Sequence, residues 1–360
     1  MEEVKKVAIF VGSLARGGAE RVSVLLAEYF KKKGIEVCII TLDIHSNEYT
    51  ISTGIRRVIL NEEKGKKKWY YVVKKVKTIL SELKPNAVLV MGVPLCIYIV
   101  PALIGTKIQL IVSERNDPSN FKGKKIIGLL SKKLMSFASG FIFQTEGAKK
   151  QYPQRIQQRS VVISNPIDIT VFPRKTNEIK KKKIVSVGRL VPQKNHEMLV
   201  NVFSKISEDY PEYSLIIYGE GRERNSLQKL IDVHDLSSKV ILAGVKEDVL
   251  RQINDAELFV MSSNFEGLPN ALIEAMALGI PVISTNCPSG GPASLIKDGY
   301  NGLLVPVGDE YEMERAIRLL LNDKGYSSNM GKNAYYIRRL LDIDVIGSQW
   351  IDYIEKIHAN

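Results

Sequence analysis

The chain has 360 residues, of which 45% are hydrophobic and 25% are charged, and its formal net charge is +12. This length allows two domains that each bury a full core. No apolar run is long enough for a membrane-spanning helix, so none is expected, and the sequence after Met1 lacks the apolar centre of a signal peptide. Three widely spaced cysteines and four scattered histidines predict a reducing compartment with neither disulfides nor a metal site.

The positive charge is concentrated in the first half of the chain. Residues 1–170 hold 28 Lys and Arg against 14 Asp and Glu, whereas the remainder holds 23 against 25. Two basic stretches in the first half, 64–77 and 121–134, also carry apolar and aromatic residues, as helices at a membrane surface do. Either stretch alone is more commonly a solvated helix that packs its apolar side in the core. Two in the same half favour peripheral contact with an anionic membrane.

Short apolar runs alternate with amphipathic helical patterns throughout the first half. The predicted buried strands are 7–11, 37–41, 87–90, 109–113, 140–143 and 161–164, and the helical patterns between them include 18–33, 68–83 and 122–136. This alternation is typical of a parallel sheet that is covered by helices on both faces.

The best linker runs from Asn165 through Pro173 into the charged segment 176–183. The alternation then restarts, with predicted strands at 184–187, 214–218, 240–243, 258–261, 281–285 and 303–305. The sequence therefore predicts an α/β protein with two doubly wound, Rossmann-like domains, residues 1–170 and 171–342, that face each other across a cleft. A last helical pattern, about 343–360, is expected to pack back on the first domain. Ligands of such sheets bind beyond the carboxyl ends of the strands.

The stretch from Glu266 to Gly279 carries the most functional information. It lies between two predicted strands and is therefore predicted to form a turn and then a helix, with Pro269 at the first helical position. The backbone N–H groups of the turn would point at a helix N-terminus, where an anion is favoured. The residues of this turn are Gly267, Leu268, Pro269 and Asn270.

Two carboxylates, Glu266 and Glu274, bracket this turn. Carboxylates accept hydrogen bonds from hydroxyl groups and repel phosphate. The arrangement therefore suits a ligand that has phosphate in the middle and polyols on both sides, as a sugar nucleotide does. The alternative interpretation is that both are ordinary surface acids at the start of a helix.

Two cations, Arg189 and Lys194, flank a Gly/Pro turn after the predicted strand 184–187. Two cations at the end of a strand can neutralise a diphosphate, both when it binds and when it leaves. The alternative is an exposed loop that happens to contain two cations. Their occurrence in the same predicted domain as the carboxylates favours the diphosphate interpretation.

Two further turns in the second half have weaker signals. Tyr218 and Gly219 follow a predicted strand, where the glycine would let the backbone approach a ligand and the tyrosine would pack near a base. A plain strand-to-helix turn is the commoner meaning of so short a motif. Val245 and Lys246, after the next strand, are candidates for reading the edge of the base through backbone contacts.

The first half has two candidate positions after its strands. Gly17 and Gly18 open a helix without the G-x-G-x-x-G fingerprint of dinucleotide sites, and they suit close approach to phosphate or sugar. The weaker alternative is that they only form the turn. A polar cluster, Ser113 to Asp117, ends another predicted strand, where an acceptor would bind.

Taken together, these motifs resemble the family-4 retaining glycosyltransferases with the GT-B fold, in particular bacterial enzymes that build capsule, O-antigen or lipid-linked glycans. The matching stretches run from the G-G-A-E-R near Gly17 to the G-L-L-V-P near Gly302. The strongest match is the E-x7-E from Glu266 to Glu274, and the G-R-L…Q-K-N from Gly188 adds to it. These motifs are specific for the family and the fold, and they do not specify the sugar.

The resemblance implies a role for each position. The two cations would grip the diphosphate, Glu274 would bind the ribose hydroxyls, and Glu266 would contact the donor sugar. The amides of the turn 267–270 would meet sugar and phosphate, and the glycine pair would lie over the diphosphate from the other domain. Such enzymes use no metal or other cofactor, and they sit peripherally on the inner face of the plasma membrane.

One position departs from the pattern of the family. Many relatives have a histidine where this chain has Arg115, and that histidine contacts the donor sugar or the acceptor. Arginine is always charged and cannot act as a neutral hydrogen-bond acceptor. The resemblance therefore leaves the donor sugar open, and Arg115 is a candidate for pairing with a carrier phosphate.

The resulting hypothesis is a retaining, metal-independent glycosyltransferase. It would move a hexose or an N-acetylhexosamine from a nucleoside-diphosphate sugar, expected to be UDP-linked, to a polyprenyl-diphosphate-linked glycan in surface polysaccharide biosynthesis. A close alternative is a retaining transferase that acts on a membrane glycolipid or a soluble acceptor. An alternative of another class is a basic polyanion-binding protein. No nucleic-acid partner is expected, because no binding motif occurs and the second half has no net positive charge.

Overall fold

The computed structural model describes residues 4–61, 68–116, 125–173 and 180–359. Unit 1 comprises Met1–Asp168 and Leu341–Asn360, and unit 2 comprises Ile169–Leu340. Parts of the two basic stretches and of the charged linker segment, together with Asp117, lie outside the described residues. Among the described residues, no helix combines the length and the hydropathy that crossing a membrane requires.

The sheet of unit 1 has seven parallel strands in the order β3-β2-β1-β4-β5-β6-β7. They are β1 (Lys6–Val11), β2 (Glu36–Thr41), β3 (Arg56–Ile59), β4 (Ala87–Met91), β5 (Gln109–Ser113), β6 (Gly140–Phe143) and β7 (Ser160–Val162). The inner strands are almost uniformly apolar and buried, because helices cover both faces of a parallel sheet. The edge strand β3 was not predicted from the sequence, since it begins with two arginines and is only partly buried.

Seven α-helices of unit 1 lie within the described residues. They are α1 (Gly18–Lys32), α2 (Trp69–Leu83), α3 (Cys96–Leu103), α4 (Lys125–Met135), α5 (Glu146–Lys150), α6 (Gln154–Gln157) and α15 (Ile343–His358). The last of these is tied to the sheet by Tyr353, whose hydroxyl accepts from Phe141 N at 3.0 Å and donates to Arg159 O at 2.6 Å. It also packs closely on α1, because a Cβ added at Gly347 would lie 2.4 Å from the Tyr29 ring.

The sheet of unit 2 has six parallel strands in the order β10-β9-β8-β11-β12-β13. They are β8 (Lys181–Val187), β9 (Ser214–Tyr218), β10 (Val240–Gly244), β11 (Ala256–Met261), β12 (Val282–Thr285) and β13 (Leu303–Val305). The helices are α7 (His196–Ile206), α8 (Arg224–Val233), α9 (Val249–Ile253), α10 (Asn270–Ala277), α11 (Gly291–Leu295), α12 (Glu310–Asn322), α13 (Lys324–Ala334) and α14 (Ile337–Leu340). In both units the strand order reverses next to the first strand, as in doubly wound folds.

The strand order brings two loops of unit 2 together. Strands β8 and β11 are neighbours in the sheet and run in the same direction. The segments that leave their carboxyl ends, residues 188–195 (the β8 loop) and 262–269 (the β11 turn), therefore lie side by side at one edge of the sheet. This is the edge where ligands of such sheets bind.

Candidate functional site

Hydrogen bonds lock the β8 loop to the β11 turn. Asn264 N donates to Gln193 O at 2.8 Å, and Asn264 Nδ2 donates to Pro192 O at 2.9 Å. Ser262 Oγ donates to Asn195 O at 2.8 Å. These bonds satisfy polar backbone groups that would otherwise be orphaned between two loops. The two segments therefore form one fixed platform at the edge of the sheet.

An ion pair joins the same two segments through their side chains. Lys194 Nζ lies 2.6 Å from Glu266 Oε1, and the two side chains are 14% and 8% exposed. Ser263 Oγ donates to the same oxygen at 2.7 Å. A sheltered pair is screened less by salt than a surface pair. The structure thus brings together the cation predicted for the diphosphate and the carboxylate predicted for the sugar.

The glycine at the start of the β8 loop makes room for this lysine. A Cβ added at Gly188 would lie 3.1 Å from Lys194 Cε. The aliphatic part of the lysine therefore passes over a backbone position that has no side chain.

Both predicted carboxylates are interior groups. Glu266 is 6% exposed and Glu274 is 4% exposed. The interpretation of them as ordinary surface acids is therefore wrong. Charged carboxylates are rarely buried unless partners stabilise them, which agrees with the ammonium and the hydroxyl found at Glu266.

The start of α10 differs in one detail from the prediction. The helix begins at Asn270, and Pro269 precedes it as the N-cap residue. The first helical hydrogen bond runs from Ile273 N to Pro269 O at 3.2 Å. Because proline has no N–H, Pro269 cannot serve as one of the predicted amide donors. The amides of Gly267, Leu268 and Asn270 keep their predicted place at the helix N-terminus.

Two residues that the sequence analysis missed fix the backbone of this turn. Ser289 Oγ donates to Glu266 O. A Cβ added at Gly291 would lie 1.7 Å from Gly267 O, so only glycine fits where α11 meets the turn. Polar and small residues directly after the predicted strand 281–285 were the signal that would have found them.

The second predicted cation, Arg189, and the two positions predicted to read the edge of the base are solvent-exposed. Arg189 follows β8, and its side chain has no hydrogen bond or ion pair within residues 180–359. Val245 and Lys246 follow β10 and are also exposed. Strand β10 is the edge strand next to β9, two strands from β8. These three residues are therefore accessible to a ligand.

Tyr218, the last residue of β9, and Gly219, which follows it, both have structural roles. Tyr218 is 5% exposed, and its hydroxyl lies 3.5 Å from Gln252 O in α9. Its ring is packed inside the unit and offers no surface for a base to stack on. A Cβ added at Gly219 would lie 2.0 Å from Gly188 O. The close approach to the β8 loop thus requires this glycine, and its predicted approach to a ligand stays a prediction.

Unit 1 has its own buried polar cluster at the carboxyl ends of β5 and β6. Glu114 Oε1 accepts from the backbone N–H groups of Arg115 and Asn116 at 3.0 and 3.2 Å, and Oε2 accepts from the Tyr152 hydroxyl at 2.7 Å. Burial raises the pKa of the Glu114 carboxyl, and the Tyr152 hydroxyl and the two amides oppose this rise.

Arg115 belongs to this cluster and is not placed to meet a carrier phosphate. The residue is 7% exposed, and its Nη2 donates to Asn165 Oδ1 at 2.6 Å. Gln144 Nε2 donates to the same oxygen at 2.6 Å. Burial lowers the pKa of Arg115 to about 10, while the charge of Glu114 opposes the decrease. The predicted pairing of Arg115 with a carrier phosphate is therefore wrong, because the guanidinium is already bonded inside unit 1.

The glycine pair lies at the beginning of α1. Gly17 is the N-cap residue with an extended backbone, and Gly18 is the first helical residue. A Cβ added at Gly17 would lie 2.3 Å from Glu20 Oε2, so the missing side chain gives Glu20 space to fold back over the helix start. Their predicted contact with the diphosphate stays a prediction.

Two other features of the described residues bear on the site. No group of three or more His, Cys, Asp and Glu side chains among them is arranged to hold a metal ion. A cavity of about 310 Å³ lies at the opposite edge of the sheet of unit 2, before β8 and β11. None of the predicted site residues lines it; its walls include Lys180, Asp255, Pro281, Lys324 and Lys332.

Two doubly wound α/β units with a polar, cation-bearing edge are typical of GT-B glycosyltransferases. Residues 168–336 match the family described as "Glycosyl transferases group 1", and residues 16–171 match the one described as "Glycosyltransferase Family 4". The two matches together span nearly the whole chain. The protein belongs to the family-4 glycosyltransferases.

Comparisons over the full length agree with this assignment. An uncharacterized glycosyltransferase from Haemophilus influenzae is 27% identical over 96% of this chain and 99% of its own. An α-1,4-N-acetyl-D-galactosaminyltransferase from Campylobacter jejuni, named for a diNAcBac-PP-undecaprenol-linked substrate, is 26% identical over 98% of this chain and 99% of its own. The crystal structure of Anabaena HepE with UDP and glucose has a TM-score of 0.84 at 18% identity, over 98% of this chain and 99% of that one. At that identity the structural likeness establishes the fold alone.

Proposed function

We propose that the protein is a retaining, metal-independent glycosyltransferase that uses a UDP-linked hexose or N-acetylhexosamine. Its acceptor is a polyprenyl-diphosphate-linked glycan in surface polysaccharide biosynthesis. The single observation that carries the proposal is the sheltered pair of Lys194 and Glu266, held between two interlocked loops at the ligand-binding edge of unit 2.

The geometry of this pair supports different contacts for its two members. Both partners of the Glu266 side chain within residues 180–359 bind Oε1, which leaves Oε2 to accept from a sugar hydroxyl. The ammonium of Lys194 has further N–H donors for a phosphate oxygen. The exposed Arg189 and the amides at the start of α10 add positive potential for the rest of the diphosphate. Glu274 lies within α10 and is assigned to the ribose hydroxyls.

In the proposed reaction the bond between the anomeric carbon and the diphosphate oxygen breaks, and a bond from the acceptor oxygen forms on the same face of the sugar. The acceptor proton passes to the departing phosphate oxygen. Negative charge grows on the diphosphate in the transition state, so fixed cations and amides there lower the barrier. The platform of interlocked loops supplies Lys194 and the amides of the β11 turn already in position.

The relatives support the choice of donor and acceptor. HepE was crystallised with UDP and glucose, and the Campylobacter jejuni relative is named for transfer of N-acetylgalactosamine to a glycan on undecaprenyl diphosphate. A second relative from that organism carries a corresponding name and is 28% identical over 89% of this chain. Full-length similarity makes the same class of donor and acceptor the best proposal for this chain.

A location on the inner face of the plasma membrane is part of the proposal. Trp69, Tyr70 and Tyr71 at the start of α2 are each about half exposed. Leu129 and Phe137, on α4 and just after it, are about 70% exposed. Both helices pack on α3, so these groups lie on the same side of the sheet of unit 1. Exposed aromatic and apolar groups among lysines suit the interface of an anionic membrane.

The test is a screen of the purified protein against UDP-, GDP- and ADP-sugars with EDTA present. Thermal stabilisation by UDP-sugars alone, with slow release of UDP, is the expected result. Lys194→Ala should abolish both effects, whereas Lys229→Ala, an exposed cation on α8, should leave both unchanged. Stabilisation by none of the nucleotides, or turnover unaffected by Lys194→Ala, would contradict the proposed donor site.

A further inference from the structure

His196 is the first residue of α7 and directly follows the β8 loop that carries the two cations. The residue is 2% exposed, and neither ring nitrogen has a hydrogen-bond partner among the described residues. Buried polar side-chain atoms are hydrogen-bonded in the large majority of cases. A fully buried imidazole with two unpaired nitrogens next to a predicted phosphate site therefore requires an explanation.

The surroundings of the ring define its protonation state. Burial, and after it the positive charge of Lys194, lowers the pKa of His196 to about 4, and the nearby backbone of Gly188 and Arg189 opposes this decrease. At neutral pH the imidazole is consequently uncharged, with one N–H donor and one acceptor nitrogen. The backbone of Gly188 and Arg189 lies within hydrogen-bonding reach of the ring, although neither ring nitrogen makes a bond of normal length and angle there.

Both halves of the β8 loop are anchored by hydrogen bonds, and in the first half Leu190 O accepts from Glu223 N at 3.0 Å. The second half is locked to the β11 turn by bonds to the carbonyls of Pro192, Gln193 and Asn195. In the first half, Gly188 N donates to Tyr218 O at 2.9 Å, and Leu190 N donates to Glu220 O at 3.0 Å. Arg189, between these two bonds, has an exposed side chain. A bond from the imidazole to this half of the loop would tie it to α7.

We propose that His196 is a positioning residue for the two cations of the β8 loop. Its neutral imidazole N–H donates to the backbone carbonyl of Gly188 or Arg189 when the β8 loop engages a diphosphate. The inference rests on the proposed donor site and adds a residue that does not touch the donor. Because the bond reaches normal length and angle in the ligand-bound arrangement, it raises the affinity for the diphosphate. A positively charged imidazolium would be repelled by the ammonium of Lys194, so a neutral donor is favoured at this position.

Two substitutions distinguish the effect of the hydrogen bond on UDP binding from the effect of the ring volume. His196→Phe keeps an aromatic ring and has no N–H, whereas His196→Gln keeps an N–H donor at a similar reach. Loss of one hydrogen bond should weaken UDP binding by His196→Phe about fivefold to tenfold. His196→Gln should bind UDP within about threefold of the native affinity. Isothermal titration calorimetry measures both, and thermal unfolding shows whether each variant is folded.

The native protein provides a second readout that needs no variant. The chain has four histidines, so the ring ¹⁵N resonances can be assigned by substitution and followed during a UDP titration. The protonated nitrogen of His196 is expected to shift on UDP binding, while the ring stays uncharged between pH 6 and 8. A His196 signal that UDP leaves unchanged would overturn the proposal.

The outcomes distinguish this inference from the proposed function. Equal UDP affinity of the native protein and His196→Phe overturns the inference alone. Equal weakening in both variants also overturns it, because packing and not the N–H donor would then be responsible. Failure of the native protein to bind any nucleotide sugar overturns the donor site, and the inference with it.

Discussion

Each unit buries one glutamate at the carboxyl edge of its sheet, and the two differ in their partners. Glu114 and Glu266 are both 6% exposed. Glu114 accepts from two backbone amides and the Tyr152 hydroxyl through both of its oxygens. Glu266 accepts from Lys194 and Ser263 through Oε1. A buried carboxylate at a sheet edge is therefore not by itself a ligand site; its partners decide whether an oxygen remains for a ligand.

The largest expected effect is on turnover, and it should distinguish Glu266 from Glu114. Glu266→Gln removes the counter-charge of Lys194 and should reduce turnover about 100-fold to 1000-fold, the usual effect of disturbing fixed charges around a leaving group. Glu114→Gln keeps the shape of a group that is bonded inside unit 1 and should leave turnover within a few-fold of native. The measurement is kcat/KM for transfer from the donor identified in the screen. A large loss in Glu114→Gln with little loss in Glu266→Gln would reverse the assignment of the two sites.

The buried titratable groups of the two units should give opposite pH dependences of stability. His196 has a pKa of about 4 in the folded protein, below the ordinary value of about 6.5. The folded state thus binds fewer protons, so stability is lost as the pH falls from about 6.5 to 4, by on the order of 3 kcal/mol. His196→Gln should remove this loss, which urea unfolding at several pH values would show. An unchanged acid dependence in His196→Gln would mean that other groups cause it.

For Glu114 the pH dependence of stability has the opposite sign, because burial raises the pKa of its carboxyl in the folded protein. Its contribution is complete below the unfolded pKa and is lost as the pH rises through the folded pKa. Tyr152→Phe removes a donor that stabilises the carboxylate and should lower the free energy of unfolding at neutral pH by about 1–3 kcal/mol. The difference from native should shrink at acidic pH, where the carboxyl is protonated in both. A difference that grows on acidification would contradict this sign.

The fold was largely predictable from the sequence, and the site was predictable only in part. Apolar runs identify buried parallel strands because both of their faces are covered, whereas the partly exposed β3, with its two arginines, escaped detection. The cation and carboxylate motifs predicted a shared site for Lys194 and Glu266, and the structure brings these two side chains together. That these two pair with each other depends on β8 and β11 being neighbours, and a single sequence does not contain this information.

The assignments of Tyr218 and Arg115 failed for a common physical reason. Polar or aromatic residues at the end of a strand can point toward a ligand or into the protein, and their order in the sequence is the same in both cases. The hydroxyl of Tyr218 reaches Gln252, and the guanidinium of Arg115 reaches Asn165, a residue fifty positions away. Contacts at this sequence separation are set by the tertiary fold and not by a local motif.

The smallest expected effect is on binding to anionic lipid, and it compares one exposed lysine from each unit. Lys133 is exposed in α4, within the basic half of the chain, and Lys229 is exposed in α8 of unit 2. Removing one cation that faces anionic lipid costs about 1 kcal/mol of binding, or roughly fivefold. Lys133→Ala should therefore bind about fivefold less well to vesicles that contain anionic lipid, and Lys229→Ala should match the native protein in a sedimentation assay. Equal weakening by both substitutions would show that net charge, and not one surface of unit 1, governs the attraction, since screening by salt acts on all exposed cations alike.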